Sequence, residues 1–122
     1  MPDATLTVLY AEDHKIVADA VKDTLEEEGL RVVLCSDGVV ALRRISSNAH
    51  YDLFVFDNHL PNIHGIELVR HARQLQHRKD VPIIMLSATD SREEAYKAGV
   101  NVFLKKPEGV KYLVESVNQL IK

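Results

Sequence analysis

The sequence has a single cysteine, Cys35, so no disulfide can form within the chain, and a reducing compartment is the natural fit. It has no apolar run long enough to cross a bilayer. Its first residues, Met1-Pro2-Asp3-Ala4-Thr5, lack the basic and apolar regions of a secretory leader. The expected location is therefore cytoplasmic, with no membrane association. Basic residues are not in excess: 15 Lys and Arg stand against 18 Asp and Glu, for a net charge of −3 and a pI near 6.0. A surface that binds nucleic acid directly usually carries the opposite balance. Repeats, linkers and low-complexity tracts are also missing, so nothing divides the chain. What is present is a globular composition, 46% hydrophobic and 27% charged. At 122 residues, the expectation is one domain over residues 1–122.

Short apolar runs alternate with stretches of helical spacing. Residues 6–11 read as a first strand that ends at Glu12-Asp13. Val17, Ala20, Val21 and Leu25 then recur at helical spacing, and Gly29 closes that helix. Residues 31–36 read as a second strand. Asp37 is an N-cap for a second helix that turns Ala41, Leu42 and Ile45 inward. Residues 53–56 are the third strand. The third helix starts near His64-Gly65, with Leu68, Val69, Ala72 and Leu75 on one face. Residues 81–86 are the fourth strand, with Pro82 near its beginning, where a missing N–H is tolerated. Ser91 and Glu94 have the spacing of a capping box, and Gly99 ends a short fourth helix. Residues 102–104 form a brief fifth strand. Val110, Leu113, Val114, Val117, Leu120 and Ile121 make the apolar stripe of the last helix. This alternation predicts an α/β domain whose parallel sheet is covered on both faces.

In open sheets of this kind, ligands bind beyond the carboxyl ends of the strands. That rule gathers residues that are distant in sequence. Leu53-Phe54-Val55-Phe56 runs straight into Asp57, and Pro61 and Gly65 mark a loop into the next helix. An acid at the end of a buried strand is either a turn cap or a reactive group. The first strand delivers Glu12 and Asp13, the fourth Ser87 and the fifth Lys106. Each alone has a plain alternative: an acidic pair at a helix N-terminus, a turn serine, a solvated lysine. Together they place three carboxylates, a hydroxyl and an ammonium at one edge. Two unit charges about 4 Å apart cost roughly 4 kcal/mol at an effective dielectric near 20. A proton or a cation must relieve that repulsion, and an all-oxygen set suits Mg²⁺. A carboxylate in such a site is a nucleophile toward phosphorus and yields an aspartyl-phosphate. Lys106 and Ser87 would then serve the phosphoryl oxygens.

With those residues in view, the sequence resembles the receiver domains of two-component response regulators. The resemblance runs from Leu6 to Ile121. It rests on Glu12-Asp13, the Asp57-x-x-x-Pro61-x-x-x-Gly65 loop, residues 83–88 and Lys106-Pro107. It implies a doubly wound five-stranded parallel sheet of order 2-1-3-4-5 with five helices, a flavodoxin-like or CheY-like fold. It implies a phosphoacceptor domain of a two-component or phosphorelay system, not a conventional enzyme. Asp57 would take the phosphoryl group from a phosphohistidine on a sensor histidine kinase or phosphotransfer protein. The domain would catalyse its own phosphorylation and dephosphorylation there. By the same resemblance, Glu12, Asp13, Asp57 and the backbone carbonyl of His59 hold Mg²⁺, and Lys106 pairs with the phosphoryl group. Ser87 moves to the new phosphate, and Phe103 is the aromatic switch, with the small Ala88 leaving space for it to turn inward. The added charge, about −1.5 to −2, would bias a bistable loop and so change the surface offered to a partner protein.

The sequence departs from the family pattern in places. Glu12 stands where Asp is commoner, and Ser87 replaces Thr. His59 and Thr89 occupy variable positions that tend to set the phosphoryl lifetime. Residues 87–106 are about one helical turn shorter than usual, so a stunted fourth helix is expected.

Other functions fit parts of the pattern. A binding-only relative would not need Asp57, Lys106 and Ser87 together. A phosphatase of the haloacid-dehalogenase type needs a second acid where His59 stands. Flavin binding favours a Ser/Thr/Gly-rich phosphate loop after the first strand, where Glu12-Asp13 would repel phosphate. The histidines lack metal-binding spacing. Arg70, Arg73, Arg78 and Lys79 read as a solvated basic face, Cys35 as a buried small hydrophobe, and Tyr96 as a surface contact.

Overall fold

The computed structural model describes residues 5–122, and the reading of residues 1–4 as leader-free lies outside them. The strands are β1 (Thr7–Ala11), β2 (Arg31–Cys35), β3 (Leu53–Asp57), β4 (Ile83–Ser87) and β5 (Val102–Lys105). All pair in parallel, in the order 2-1-3-4-5. Every residue of β3 and β4 is buried, as strands covered on both faces require. The connecting helices are α1 (Lys15–Glu27), α2 (Gly38–Ser46), α3 (Gly65–Gln74), α4 (Arg92–Ala98) and α5 (Leu113–Ile121). A 3₁₀ turn, Glu108–Tyr112, precedes α5.

Side chains alternate across a strand, and that period of two sorts the core into two layers. Leu9, Phe54, Phe56, Ile83, Met85 and Phe103 pack with Ala41 and Ile45 of α2, Val69 and Ala72 of α3, and Ala95 of α4. Val8, Tyr10, Val55, Ile84, Leu86 and Leu104 pack with Ala18, Val21 and Leu25 of α1 and with Leu113 and Val117 of α5. Two helices therefore cover one face and three the other, and the strand ends stay clear for polar groups.

Caps and turns follow their chemistry. Asp37 has extended backbone and accepts from the Val39 and Val40 N–H groups at 2.6 and 3.2 Å, as an N-cap should. Gly99 ends α4 at φ +119°, a left-handed conformation that glycine adopts without strain. Gly65 is needed for a different reason: a Cβ there would lie 2.3 Å from the Asp57 carbonyl oxygen.

The structure corrects several expectations. Ala18, not Ala20, faces the core from α1, and Ala20 is exposed. Ser91 forms no capping box: its backbone is not extended (φ −115°, ψ 26°), and its side chain makes no cap hydrogen bond. Val110 belongs to the 3₁₀ turn and not to the last helix. Arg73 and Arg78 are not a solvated face. Arg78 is 3% exposed and donates to the carbonyls of Ile45 (2.9 Å), Ser47 (2.9 Å) and Ala49 (2.6 Å) at the end of α2. Its guanidinium also sits 5.0 Å from the Tyr51 ring centroid. Half-buried Arg73 donates to the carbonyls of Val81 (2.7 Å), Gly99 (2.9 Å) and Lys79 (3.0 Å) and to Asn101 Oδ1 (3.0 Å).

Arg78→Leu leaves these carbonyls without their donor. It should cost about 2–4 kcal/mol, read as a lower urea midpoint at unchanged slope.

Candidate functional site

The carboxyl ends of β1, β3 and β5 converge. Glu12 and Asp13 follow β1 directly, Asp57 is the last residue of β3, and Lys106 follows β5. β1 and β3 pair in register, Ala11 beside Phe56, so the next residues, Glu12 and Asp57, emerge side by side. Carboxylate oxygens of Glu12, Asp13 and Asp57 lie within 4.8 Å of one another. Glu12 and Asp57 are buried, at 1% and 5% exposure, whereas Asp13 is open to solvent. Lys106 Nζ contacts Glu12 Oε1 directly and stands 3.8 Å from Asp57 Oδ1. The second Glu12 oxygen accepts the His14 N–H at 3.2 Å.

Burial, and after it the charge of Glu12, hold the Asp57 carboxyl up at about 6, while Lys106 acts in the opposite direction. One ammonium is therefore too little for this group of acids. The donor set is all oxygen, clustered, and open on the Asp13 side. That arrangement fits a hard divalent cation, with room for water and an anionic oxygen.

The other expected residues surround this centre. Ser87 ends β4 fully buried, and its hydroxyl bonds to Thr89 Oγ1 at 3.3 Å and accepts the Thr89 N–H at 3.3 Å. His59 Nε2 meets the same Thr89 hydroxyl at 2.8 Å, which links the loops after β3 and β4 across the mouth of the cleft. Asp57, Lys106, His59 and Ala88 share the lining of that cleft. Pro61 and Gly65 belong to the loop that leads into α3. The Gly65 N–H donates to the Asn58 carbonyl at 3.0 Å, which draws the loop against β3.

Phe103 lies on the opposite face of the sheet. It is 3% exposed, so the ring is already turned inward. The Arg92 guanidinium stands 5.1 Å from its centroid, and the Tyr96 hydroxyl accepts the Phe103 N–H at 3.1 Å. Tyr96, read from sequence only as a surface contact, is thus also a link between α4 and β5. The sequence reading missed this link, the His59–Thr89 bond, and Tyr10. Tyr10 had a signal: it stands in β1 two residues before Glu12, which directly follows the strand, and hence on the same face.

A doubly wound sheet with an acidic cluster and a lysine at its carboxyl edge places the protein among CheY-like α/β domains. The receiver domain of the Francisella response regulator 1452 superposes with a TM-score of 0.85 at 35% identity, covering 96% of this chain and 97% of that one. The receiver domain of the sensor histidine kinase PA1611 from Pseudomonas aeruginosa PAO1 has a magnesium ion coordinated in its active-site cleft. It superposes with a TM-score of 0.86 at 30% identity, covering 97% and 98% of the two chains. Residues 8–118 match the response regulator receiver domain, and the chain belongs to that family of two-component signalling domains. Among curated relatives, the sensor protein EvgS of Escherichia coli O157:H7 is 35% identical over 118 residues, 94% of this chain and 10% of EvgS. The transcriptional regulatory protein CutR of Streptomyces coelicolor is 34% identical over 118 residues, 94% of this chain and 53% of CutR. The chain thus spans about a tenth and about half of these relatives.

The raised Asp57 carboxyl has a consequence for stability. A carboxyl that titrates higher when folded than when unfolded binds more protons in the folded state, so stability falls as pH climbs from about 4 to about 6 and stays lower above. Asp57→Asn should therefore stabilise the fold by about 1–3 kcal/mol at neutral pH. The gain should vanish near pH 4, and denaturant titrations at the two pH values check this.

Proposed function

We propose that Asp57 is the phosphoacceptor of this receiver domain, with residues 1–122 acting as one domain. The observation that carries this reading is the buried, acid-crowded position of Asp57 beside a lysine at the carboxyl edge of the sheet. Glu12, Asp13, Asp57 and the His59 backbone carbonyl would hold Mg²⁺. Bound there, the ion offsets negative charge on the phosphoryl oxygens and on the acids together.

The chain's own residues do the rest. The Asp57 carboxylate attacks phosphorus, and the bond to the donor's histidine nitrogen breaks as the Asp57 O–P bond forms. Lys106 moves from Glu12 toward the new phosphoryl oxygens. Ser87 exchanges Thr89 for one of those oxygens, with its O–H as donor. The loop after β4 follows Ser87, and Phe103 and α4 carry the change to the surface. The inward ring means that phosphorylation would hold the Phe103 position rather than create it. A sensor histidine kinase or phosphotransfer protein is the proposed donor, a second protein reads the changed surface, and the cytoplasm is the setting. Hydrolysis of the aspartyl-phosphate at the same site would return the domain to rest, so the chemistry is self-directed and not that of a conventional enzyme.

Incubation with Mg²⁺ and a small phosphodonor should add one phosphoryl group, seen by intact mass. The adduct should be lost in Asp57→Asn and in excess EDTA. No adduct from either a small donor or a kinase would favour a binding-only domain. Phe103→Ala should still accept phosphate but lose the phosphorylation dependence of partner binding. Full dependence in that variant would remove the aromatic from the relay.

A further inference from the structure

Tyr10 lies in the middle of β1 at 0% exposure, with its ring among the apolar side chains of the layer under α1 and α5. Its hydroxyl is buried and has no hydrogen-bond partner among the described residues. Native proteins seldom leave such a group unsatisfied, and an aliphatic side chain would avoid the penalty altogether. The surroundings of the hydroxyl explain why it is there. Tyr10 and Glu12 share a face of the sheet, and the register sets Tyr10 beside Val55, two residues before Asp57. Tyr10 therefore lies directly beneath the Glu12–Asp57 pair. The hydroxyl is near enough to interact with Glu12, whose charge and that of Asp57 add to burial in raising its pKa, but it makes no bond of normal geometry.

In this arrangement both Glu12 oxygens are already served, Oε1 by Lys106 and Oε2 by the His14 N–H. Of the two donors, the backbone N–H is fixed and the lysine is mobile. When Lys106 departs, a carboxylate at 1% exposure loses the hydrogen-bond donor on Oε1, and a cation held on the acids would offset its charge without supplying that hydrogen bond. We propose that Tyr10 is a positioning residue for the phosphoryl site: its hydroxyl becomes the hydrogen-bond donor to Glu12 when Lys106 moves to the phosphoryl group on Asp57. Nothing covalent changes. One O–H, unpaired before, donates to the carboxylate afterwards, and Glu12 stays anionic and in place. The unmet hydroxyl thus disfavours the resting arrangement and favours the phosphorylated one. This inference rests on the role proposed above for Lys106.

The test uses Mg²⁺ with beryllofluoride as the phosphoryl mimic. The NMR signal of the hydroxyl-bearing ring carbon of Tyr10, identified by its absence in Tyr10→Phe, should move when the mimic binds. Tyr10→Phe should weaken Mg²⁺-dependent beryllofluoride binding about ten- to a hundredfold, the effect of one hydrogen bond to a charged acceptor. A second arm needs no mimic. Tyr10→Phe should leave the stability of the unmodified protein unchanged or raised, yet lower that of Lys106→Met, where Glu12 has already lost its lysine. A silent Tyr10 signal on a bound mimic, or equal Tyr10→Phe effects in the two backgrounds, overturns the proposal and leaves the role of Asp57 standing. Failure of beryllofluoride to bind at all overturns the phosphoacceptor reading and this proposal with it.

Discussion

The contact between Lys106 and Glu12 holds together an edge that would otherwise repel itself. Three carboxylates meet where β1 and β3 end, two of them buried, and one ammonium answers them. Lys106 divides its attention unequally, against Glu12 and farther from Asp57. Asp57 is left short of positive charge at the carboxyl edge of the sheet. That shortage suits a divalent cation at this edge and, on the role proposed for Asp57, a phosphoryl group whose charge Lys106 would follow.

Much of this could be read from the chain. The strands are short apolar runs, β3 and β4 buried on both faces, so their positions were plain, and the rule about carboxyl ends then assembled Glu12, Asp13, Asp57 and Lys106 without a structure. Helix phase was less secure, because Ala18 and Ala20 both suit a stripe with Val17, Val21 and Leu25, and only packing chose Ala18. Spacing alone also misled at Ser91, whose backbone does not take the cap conformation. Arg73 and Arg78 were unreadable for another reason. Their guanidiniums reach carbonyls on other elements, and Arg78 finds Ile45 across 33 residues of sequence. A long polar side chain bonded to distant backbone leaves no local pattern.

The two layers divide the work. Tyr10, Glu12, Asp57 and Lys106 belong to the side of the sheet that carries α1 and α5, and Phe103 belongs to the other side with α4. Ser87 ends β4 on the face of Met85 and Phe103 and shares Thr89 with His59. α4 has only 7 residues, and tertiary bonds hold it rather than its own length. Arg92 covers Phe103, Tyr96 bonds β5, and Arg73 grips Gly99 and Asn101 at its far end. Asn101 Oδ1 also accepts the Ile83 N–H at 2.8 Å, which ties that grip to the start of β4.

β5 is the outermost strand on its side of the sheet, and such a strand is a template on which a foreign chain can pair. The Phe103 N–H would be part of that template, but the Tyr96 hydroxyl occupies it. A phenol from a short helix thus does the work that proline or lysine does on other sheet borders. Any movement that lifts α4, with Tyr96 and Arg92, uncovers a backbone donor and a buried ring at once. The same small helix occupies a pairing donor of the edge strand and covers the buried Phe103 ring.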